Sequence, residues 1–121
     1  MKHCLVIDDS DIIRKVARRV LEELNVTSTE AESGSQGLEL CRAAMPDLII
    51  VDWIMPGMSG LEFVSQLRAA PDGDVPIIIY CTSVNDPDDY GRALSAGVDK
   101  FLLKPFDRNS IQDALKGIEI N

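Results

Sequence analysis

Four short apolar runs in this chain each end at residues that are suited to phosphate chemistry. The runs are residues 4–7, 48–51, 77–81 and 101–103, and they are followed by Asp8 and Asp9, by Asp52, by Thr82 and by Lys104. Short, continuous runs rich in β-branched residues are typical of parallel strands buried on both faces. Neighbouring parallel strands share one carboxyl edge, where open α/β sheets bind ligands. We therefore expect three carboxylates, a hydroxyl and an ammonium group to meet there.

The three carboxylates point to a divalent cation. Asp8, Asp9 and Asp52 at one edge would repel one another and raise at least one pKa unless a cation were present. By themselves, Asp8 and Asp9 could equally mark the N-terminus of a helix, where aspartate is favoured. Mg²⁺, with Mn²⁺ as an alternative, takes one or two carboxylates and leaves room for a phosphoryl oxygen. The sequence has no His/Cys cluster for zinc, and its one histidine, His3, falls at the far end of the first run.

Asp52 is the candidate nucleophile of this site. An aspartate carboxylate can attack phosphorus and form an acyl phosphate. Phosphoryl transfer mainly requires positioning and charge neutralisation. Lys104 would supply a positive charge and Thr82 a hydrogen bond to the phosphoryl oxygens. Taken singly, Lys104 is more simply a surface lysine and Thr82 a strand terminus, but their joint occurrence with the acids favours a phosphoryl site.

Helical periodicity fills the segments between the strands, and it predicts the elements that position these residues. A weaker alternating run at 26–31 predicts a polar edge strand. Strand and helix then alternate five times, which is the pattern of an α/β, doubly wound parallel sheet with right-handed crossovers. Ser10 or Asp9 could cap the first helix. The predicted helices cover about 12–24, 35–44, 59–69, 86–97 and 107–116.

Composition limits the class of protein. A chain of 121 residues, 45% of them hydrophobic, suffices for one globular domain. The net charge of −8 disfavours nucleic-acid binding, and no run approaches the ~20 apolar residues that span a bilayer. Cys4, Cys41 and Cys81, without a CxxC pair, are expected to be buried thiols in a reducing compartment. We expect a soluble, cytoplasmic protein without a signal peptide.

Five segments carry the pattern of a known family. They are VIDDS at 6–10, DWIMPGMSG at 52–60, CTS at 81–83, AG at 96–97 and KPF at 104–106. Together they resemble the receiver domain of bacterial two-component response regulators, and most of all its stand-alone, CheY-type form. The resemblance implies one receiver domain over residues 1–121. It also implies a five-stranded (βα)5 flavodoxin-like fold with strand order 2-1-3-4-5.

The resemblance assigns roles to the acidic residues. Asp52 would accept a phosphoryl group from the phosphohistidine of a histidine kinase. Asp8, Asp9 and the backbone carbonyl of Ile54 would hold Mg²⁺ together with Asp52. Asp9 would bind the ion directly, and Asp8 partly through water. The domain would catalyse only its own phosphorylation and dephosphorylation, so we do not expect an enzyme in the ordinary sense.

The resemblance also implies a switch. Thr82 and Lys104 would contact the phosphoryl group, and a cis peptide bond would precede Pro105. Phosphorylation adds charge of about −2 and draws Thr82 toward it, which leaves space for Phe101, the residue at the aromatic switch position. The face made by the fourth helix, fifth strand and fifth helix would then change for a partner. Phe101 could also serve simply as core packing.

Two positions bear on the lifetime of the phosphoryl group. Ile54 follows Asp52 by two residues, and Val84 follows Thr82 by two. In fast-cycling relatives these places often hold polar side chains that orient the hydrolytic water, which apolar side chains cannot do. We therefore expect a long-lived phosphoryl group in the absence of a phosphatase. Trp53 should report binding of Mg²⁺ by its fluorescence.

Three other classes of protein fit less well. A phosphatase of the haloacid dehalogenase type also uses an aspartyl nucleophile, and Asp9 with Asp11 forms an Asp-x-Asp pair, but the chain lacks the length for its other parts. A degenerate receiver that no longer takes phosphate would usually lack an acid or the lysine. A flavin carrier of the same fold would need a phosphate loop where Asp8 and Asp9 lie.

The sequence is compatible with several downstream processes. A receiver without an output domain would act as a diffusible messenger, for example on a flagellar motor switch in chemotaxis. It could also be a phosphate sink, a relay intermediate or a regulator of a kinase. We expect a monomer or a weak dimer, with partner contacts near Val20, Leu21 and the fourth helix.

Overall fold

The computed structural model describes residues 2–83 and 86–118, and within them five strands alternate with five helices. The strands form one parallel sheet in the order β2-β1-β3-β4-β5, which confirms the predicted flavodoxin-like topology. The elements are β1 (His3–Ile7), α1 (Asp11–Glu23), β2 (Thr27–Ala31), α2 (Gly34–Ala43), β3 (Leu48–Asp52), α3 (Gly60–Ala69), β4 (Ile77–Thr82), α4 (Pro87–Ala96), β5 (Lys100–Leu103) and α5 (Arg108–Ala114).

Each helix begins at a side-chain cap, which is why the predicted starts fall close to the observed ones. Ser10, not Asp9, caps α1, because its hydroxyl accepts the Ile13 N–H. The helix α2 starts earlier than predicted, since Ser33 is its cap. Gly97 caps the C-terminus of α4 with a φ of 115°, which suits glycine. The remaining caps are Ser59, Asp86 and Asp107.

Two apolar layers cover the sheet. Side chains of α2, α3 and α4 pack on one face, and those of α1 and α5 on the other. All five residues of β3 are buried, as expected of a central strand covered on both sides. All three cysteines are buried free thiols, as predicted. Among the described residues, no helix combines the length and the apolar character that a membrane span requires.

The helical spacing of apolar residues over 12–24 places Ile12 and Val16 on the apolar face of α1, but the buried face is narrower than this spacing predicts. Ile12 is 69% exposed and Val16 is 41% exposed, because the sheet covers a narrower stripe of the helix that includes Ala17. Val20 and Leu21 lie in that stripe, so the expectation that they contact a partner was wrong. Leu103, which the apolar run 101–103 predicts to be buried, is also exposed.

Candidate functional site

The sheet brings the predicted site residues to one edge. Asp52 is the last residue of β3, which lies between β1 and β4. Asp8 and Asp9 follow β1, Thr82 ends β4, and Lys104 follows β5. The strands are in parallel register, so that their carboxyl ends lie side by side. Asp8, Asp52 and Thr82 are buried, whereas Asp9 is exposed.

The acidic residues form a compact group. Asp8, Asp9 and Asp52 each contribute a carboxylate oxygen, and these oxygens lie within 4.8 Å of one another. Lys104 Nζ lies 3.0 Å from Asp8 Oδ2 and 3.0 Å from Asp52 Oδ1. Three carboxylates and one ammonium group leave a formal charge of −2. A hard divalent cation with oxygen ligands, such as Mg²⁺, fits both that charge and that donor set.

The hydrogen bonds distinguish the acids from one another. Asp8 Oδ1 accepts the Ser10 N–H at 2.9 Å, and Asp8 Oδ2 is paired with Lys104. Asp52 Oδ1 accepts the Trp53 N–H at 3.0 Å as well as the Lys104 contact. In the described part of the chain no group donates to Asp9. Among the described residues, Asp9 and Oδ2 of Asp52 are therefore without a protein partner, whereas both oxygens of Asp8 are engaged.

The charges of the site are only partly balanced. Burial raises the pKa of Asp52, the hydrogen bond from Lys104 opposes that rise, and the nearby charge of Asp8 adds to it. Burial alone would lower the pKa of Lys104, but its hydrogen bonds to Asp8 and Asp52 outweigh this and raise the pKa above its ordinary value. Lys104 is therefore a permanent cation here, and the negative charge that remains favours a further cation.

The loops that follow β3 and β5 are fixed by close backbone contacts. Gly60 begins α3 against the end of β3, where an added Cβ would overlap the carbonyl oxygen of Asp52. Only glycine permits that approach. The Lys104 N–H donates to the carbonyl of Thr82 at 2.9 Å, which ties the lysine to the end of β4. The Lys104–Pro105 peptide bond is cis, as the resemblance implied.

The structure describes only one of the two positions that we expect to tune dephosphorylation. The side chain of Ile54 is 59% exposed beside the site, with Trp53 half-buried before it. Val84 lies outside the described residues. Asp11, the second acid of the Asp-x-Asp pair, lies in the exposed first turn of α1 and does not belong to the acidic group.

Phe101 lies among aromatic residues that the sequence analysis missed. Its ring centroid is 4.4 Å from that of Tyr90 on α4, and 6.2 Å from that of Tyr80 in an edge-to-face arrangement. Tyr80 pairs with Phe101 in the sheet register and precedes Thr82 by two residues, so it shares the face of β4 that carries Thr82. This period of two was visible in the sequence. The contact with Tyr90 depends on how α4 packs.

The chain belongs to the response regulator receiver domain family. The family model for the response regulator receiver domain matches residues 4–116. The chain is 34% identical to the chemotaxis protein CheY of Halobacterium salinarum over 117 residues, which are 97% of this chain and 96% of that protein. A CheY-type receiver fits this coverage.

Solved structures and longer relatives agree with this assignment. The chemotaxis protein CheY4 of Vibrio cholerae superposes with a TM-score of 0.93 at 28% identity, over 98% of this chain and 99% of that one. The phosphate regulon transcriptional regulatory protein PhoB of Escherichia coli is 30% identical over 97% of this chain, which spans 51% of its length. The receiver fold therefore occurs both alone and within longer regulators.

Proposed function

We propose that this chain accepts a phosphoryl group on Asp52 and passes the signal to a protein partner. The observation that carries the proposal is the position of Asp52 at the centre of the carboxyl edge, beside Lys104 and within one acidic group with Asp8 and Asp9. The phosphodonor is a histidine kinase, as membership of the receiver family implies. A cytoplasmic location belongs to the same proposal.

Mg²⁺, with Mn²⁺ as an alternative, would neutralise charge between the acceptor carboxylate and the phosphoryl oxygens. Asp9 and Asp52 would bind it directly, Asp8 would bind partly through water, and the backbone carbonyl of Ile54 would complete the protein ligands. Among the described residues, the carboxylate of Asp9 and Oδ2 of Asp52 have no hydrogen-bond or ion-pair partner, which supports this arrangement.

The chemistry is a transfer between two nucleophiles. A carboxylate oxygen of Asp52 attacks phosphorus while the bond from phosphorus to the kinase histidine breaks, and the histidine leaves with that electron pair. Lys104 moves from its pairing with Asp52 to the new phosphoryl oxygens, since those carry the added negative charge. The hydroxyl of Thr82 donates a hydrogen bond to another of these oxygens. The domain catalyses no reaction apart from this transfer and the later hydrolysis.

The output face is formed by α4, β5 and α5. Displacement of Thr82 toward the phosphoryl group would let the ring of Phe101 move. Phe101 packs against Tyr90 of α4, so this movement would change the position of Tyr90. Leu94 on α4 and Leu103 on β5 are exposed apolar residues on this face, at 56% and 45%. The partner is a protein, such as a motor switch or a kinase. We place the function in chemotaxis, because CheY proteins are among its similar relatives over nearly their full length.

The decisive experiment is phosphorylation in solution. The protein is incubated with acetyl phosphate or a phosphorylated kinase, with and without Mg²⁺, and intact mass is measured. We expect one hydroxylamine-labile phosphoryl group that requires Mg²⁺, is absent from Asp52→Asn and is retained in the matched control Asp11→Asn. No adduct on the wild type, or an equal adduct on Asp52→Asn, would overturn the proposal. Steady turnover of a simple phosphate ester would favour an aspartyl phosphatase instead.

A further inference from the structure

Arg14 connects helix α1 to the peptide that carries the acidic pair. Its NH1 group donates to the backbone carbonyl oxygen of Asp8 at 2.6 Å, and its Nε donates to Glu30 Oε1 at 2.7 Å. The side chain of Arg14 is only 12% exposed, although it belongs to the polar face of the helix. The guanidinium therefore joins α1, the end of β1 and the edge strand β2.

Glu30 holds this guanidinium in one orientation. Its second oxygen, Oε2, accepts from Arg18 NH1 at 2.6 Å, and Arg18 Nε donates to Ser28 Oγ at 3.0 Å. The hydrogen bonds from Arg18 and Arg14 lower the pKa of Glu30, so it stays ionised at neutral pH. Both oxygens of Glu30 are engaged, so its carboxylate is held in place. Its charge-assisted hydrogen bond with Nε of Arg14 therefore fixes the guanidinium, whose NH1 group donates to Asp8.

The peptide units around Asp8 are held from several directions. The N–H of Asp8 donates to the carbonyl of Ala31 at 3.1 Å, and its carbonyl accepts from Arg14. Its carboxylate accepts the Ser10 N–H and contacts Lys104. That carbonyl belongs to the peptide bond between Asp8 and Asp9, so its position affects the direction in which both carboxylates project. Without Arg14, nothing described in the structure would hold this carbonyl.

We propose that Arg14 is a positioning residue for the divalent cation, with Glu30 as the residue that orients it. This inference rests on the proposed function, because it concerns the same Mg²⁺ site. Arg14 does not touch the ion. It fixes the peptide between Asp8 and Asp9, so that their carboxylates already converge before the ion binds, and the ordering cost of binding falls.

Charge and position make opposite predictions for the loss of Arg14. Coulomb's law alone predicts tighter Mg²⁺ binding when a nearby cation is removed. Loss of positioning predicts weaker binding, because the acidic pair must then be ordered by the ion. Arg14→Met removes both the charge and the hydrogen bonds. Arg14→Lys keeps the charge but loses the planar fork that reaches two acceptors at once.

Arg18→Met is the matched control. Arg18 has the same charge, lies on the same helix and contacts the same Glu30, but its hydrogen bonds go to Glu30 and Ser28 rather than to Asp8. Both Met variants remove one of the two guanidinium partners of Glu30. Only Arg14→Met loses the contact with the Asp8 carbonyl, so a difference in Mg²⁺ affinity between the two separates positioning from general stability.

The experiment is a Mg²⁺ titration of each folded protein, followed by the fluorescence of Trp53, the one tryptophan of the chain. We expect Arg14→Met to raise the Kd about tenfold, as is usual when an outer contact of a metal ligand is lost. Arg14→Lys should raise it by a smaller factor, and Arg18→Met should stay within about twofold of the wild type, because its contacts do not reach the site.

Two results would overturn the inference alone. One is a Kd for Arg14→Met equal to or below that of a wild type that binds Mg²⁺. The other, which decides the matter should Arg14→Met fail to fold, is a Kd for Arg14→Lys equal to that of the wild type. If the wild type itself did not bind Mg²⁺, the proposed function would fail first, and this inference with it.

Discussion

The Nζ atom of Lys104 lies 3.0 Å from Oδ1 of Asp52, and Asp8 shares the same ammonium group at the same distance. The single positive charge of Lys104 therefore neutralises two buried carboxylates only in part. Burial, together with the charge of Asp8, leaves the pKa of Asp52 above its ordinary value despite this contact. The metal-free fold therefore binds a proton at Asp52 more tightly than the unfolded chain does, and its stability falls as pH rises through the interval between the two pKa values.

Removal of the Asp52 charge should therefore stabilise the metal-free protein at neutral pH. We expect Asp52→Asn to raise Tm by about 4 °C at pH 7 in EDTA, equivalent to about 1 kcal/mol in a domain of roughly this size. The gain should vanish below the ordinary carboxyl pKa of 3.8, where Asp52 is protonated in both states. Thermal unfolding followed by circular dichroism at several pH values measures this.

Asp11→Asn provides the matched control, since Asp11 is exposed and outside the acidic group. It should not raise Tm. Mg²⁺ should stabilise the wild type more than Asp52→Asn, because the variant lacks one ligand charge. A variant that is less stable than the wild type at pH 7 without metal would contradict the unbalanced charge that we assign to Asp52.

Local patterns in the sequence were enough to predict the strands and helices, whereas the strand order came from the family resemblance. Caps, turns and the two periodicities act over a few residues, and parallel strands covered by helices leave few topologies. The site followed from the same logic, because residues at strand ends must share an edge. The width of an apolar helix face was harder to predict from sequence, since the exposure of Ile12 depends on how much of α1 the sheet covers.

Contacts between distant residues could not be predicted in this way. Arg14 and Glu30 are 16 positions apart, and Arg68 donates to the carbonyl of Gly97 from 29 positions away. In the sequence both arginines belong to the polar faces of helices, and any acid or carbonyl could be their partner. Side-chain directions in the folded chain select these partners, and short-range spacing carries no information about them.

The hydroxyl of Tyr80 is a buried polar group with no hydrogen-bond partner in the described part of the chain. Burial, with the charge of Asp89 second, raises the pKa of Tyr80, so the hydroxyl stays protonated. We expect Tyr80→Phe to raise the free energy of unfolding by about 1 kcal/mol, since it removes an unsatisfied group and keeps the ring contact with Phe101. Urea denaturation provides the measurement.

Tyr90→Phe is the control for this change, because Tyr90 is only half-buried and its hydroxyl is not among the buried groups without a partner. Its effect should stay within about 0.5 kcal/mol, as is usual for partly exposed positions. A loss of stability in Tyr80→Phe would show that the hydroxyl makes a favourable hydrogen bond, contrary to the contacts described here.

Ile54 follows Asp52 by two residues, where we propose that a polar side chain would orient the water that attacks the phosphoryl group. Its side chain is 59% exposed, so a change there should leave the core intact. We expect Ile54→Asn to shorten the phosphoryl half-life about tenfold, a reduction of about 1.4 kcal/mol in the barrier, because an amide can orient that water. Ile54→Val, which remains apolar, should decay like the wild type. Loss of hydroxylamine-labile label after removal of the donor gives the rates, and equal decay in all three proteins would refute a role for this position.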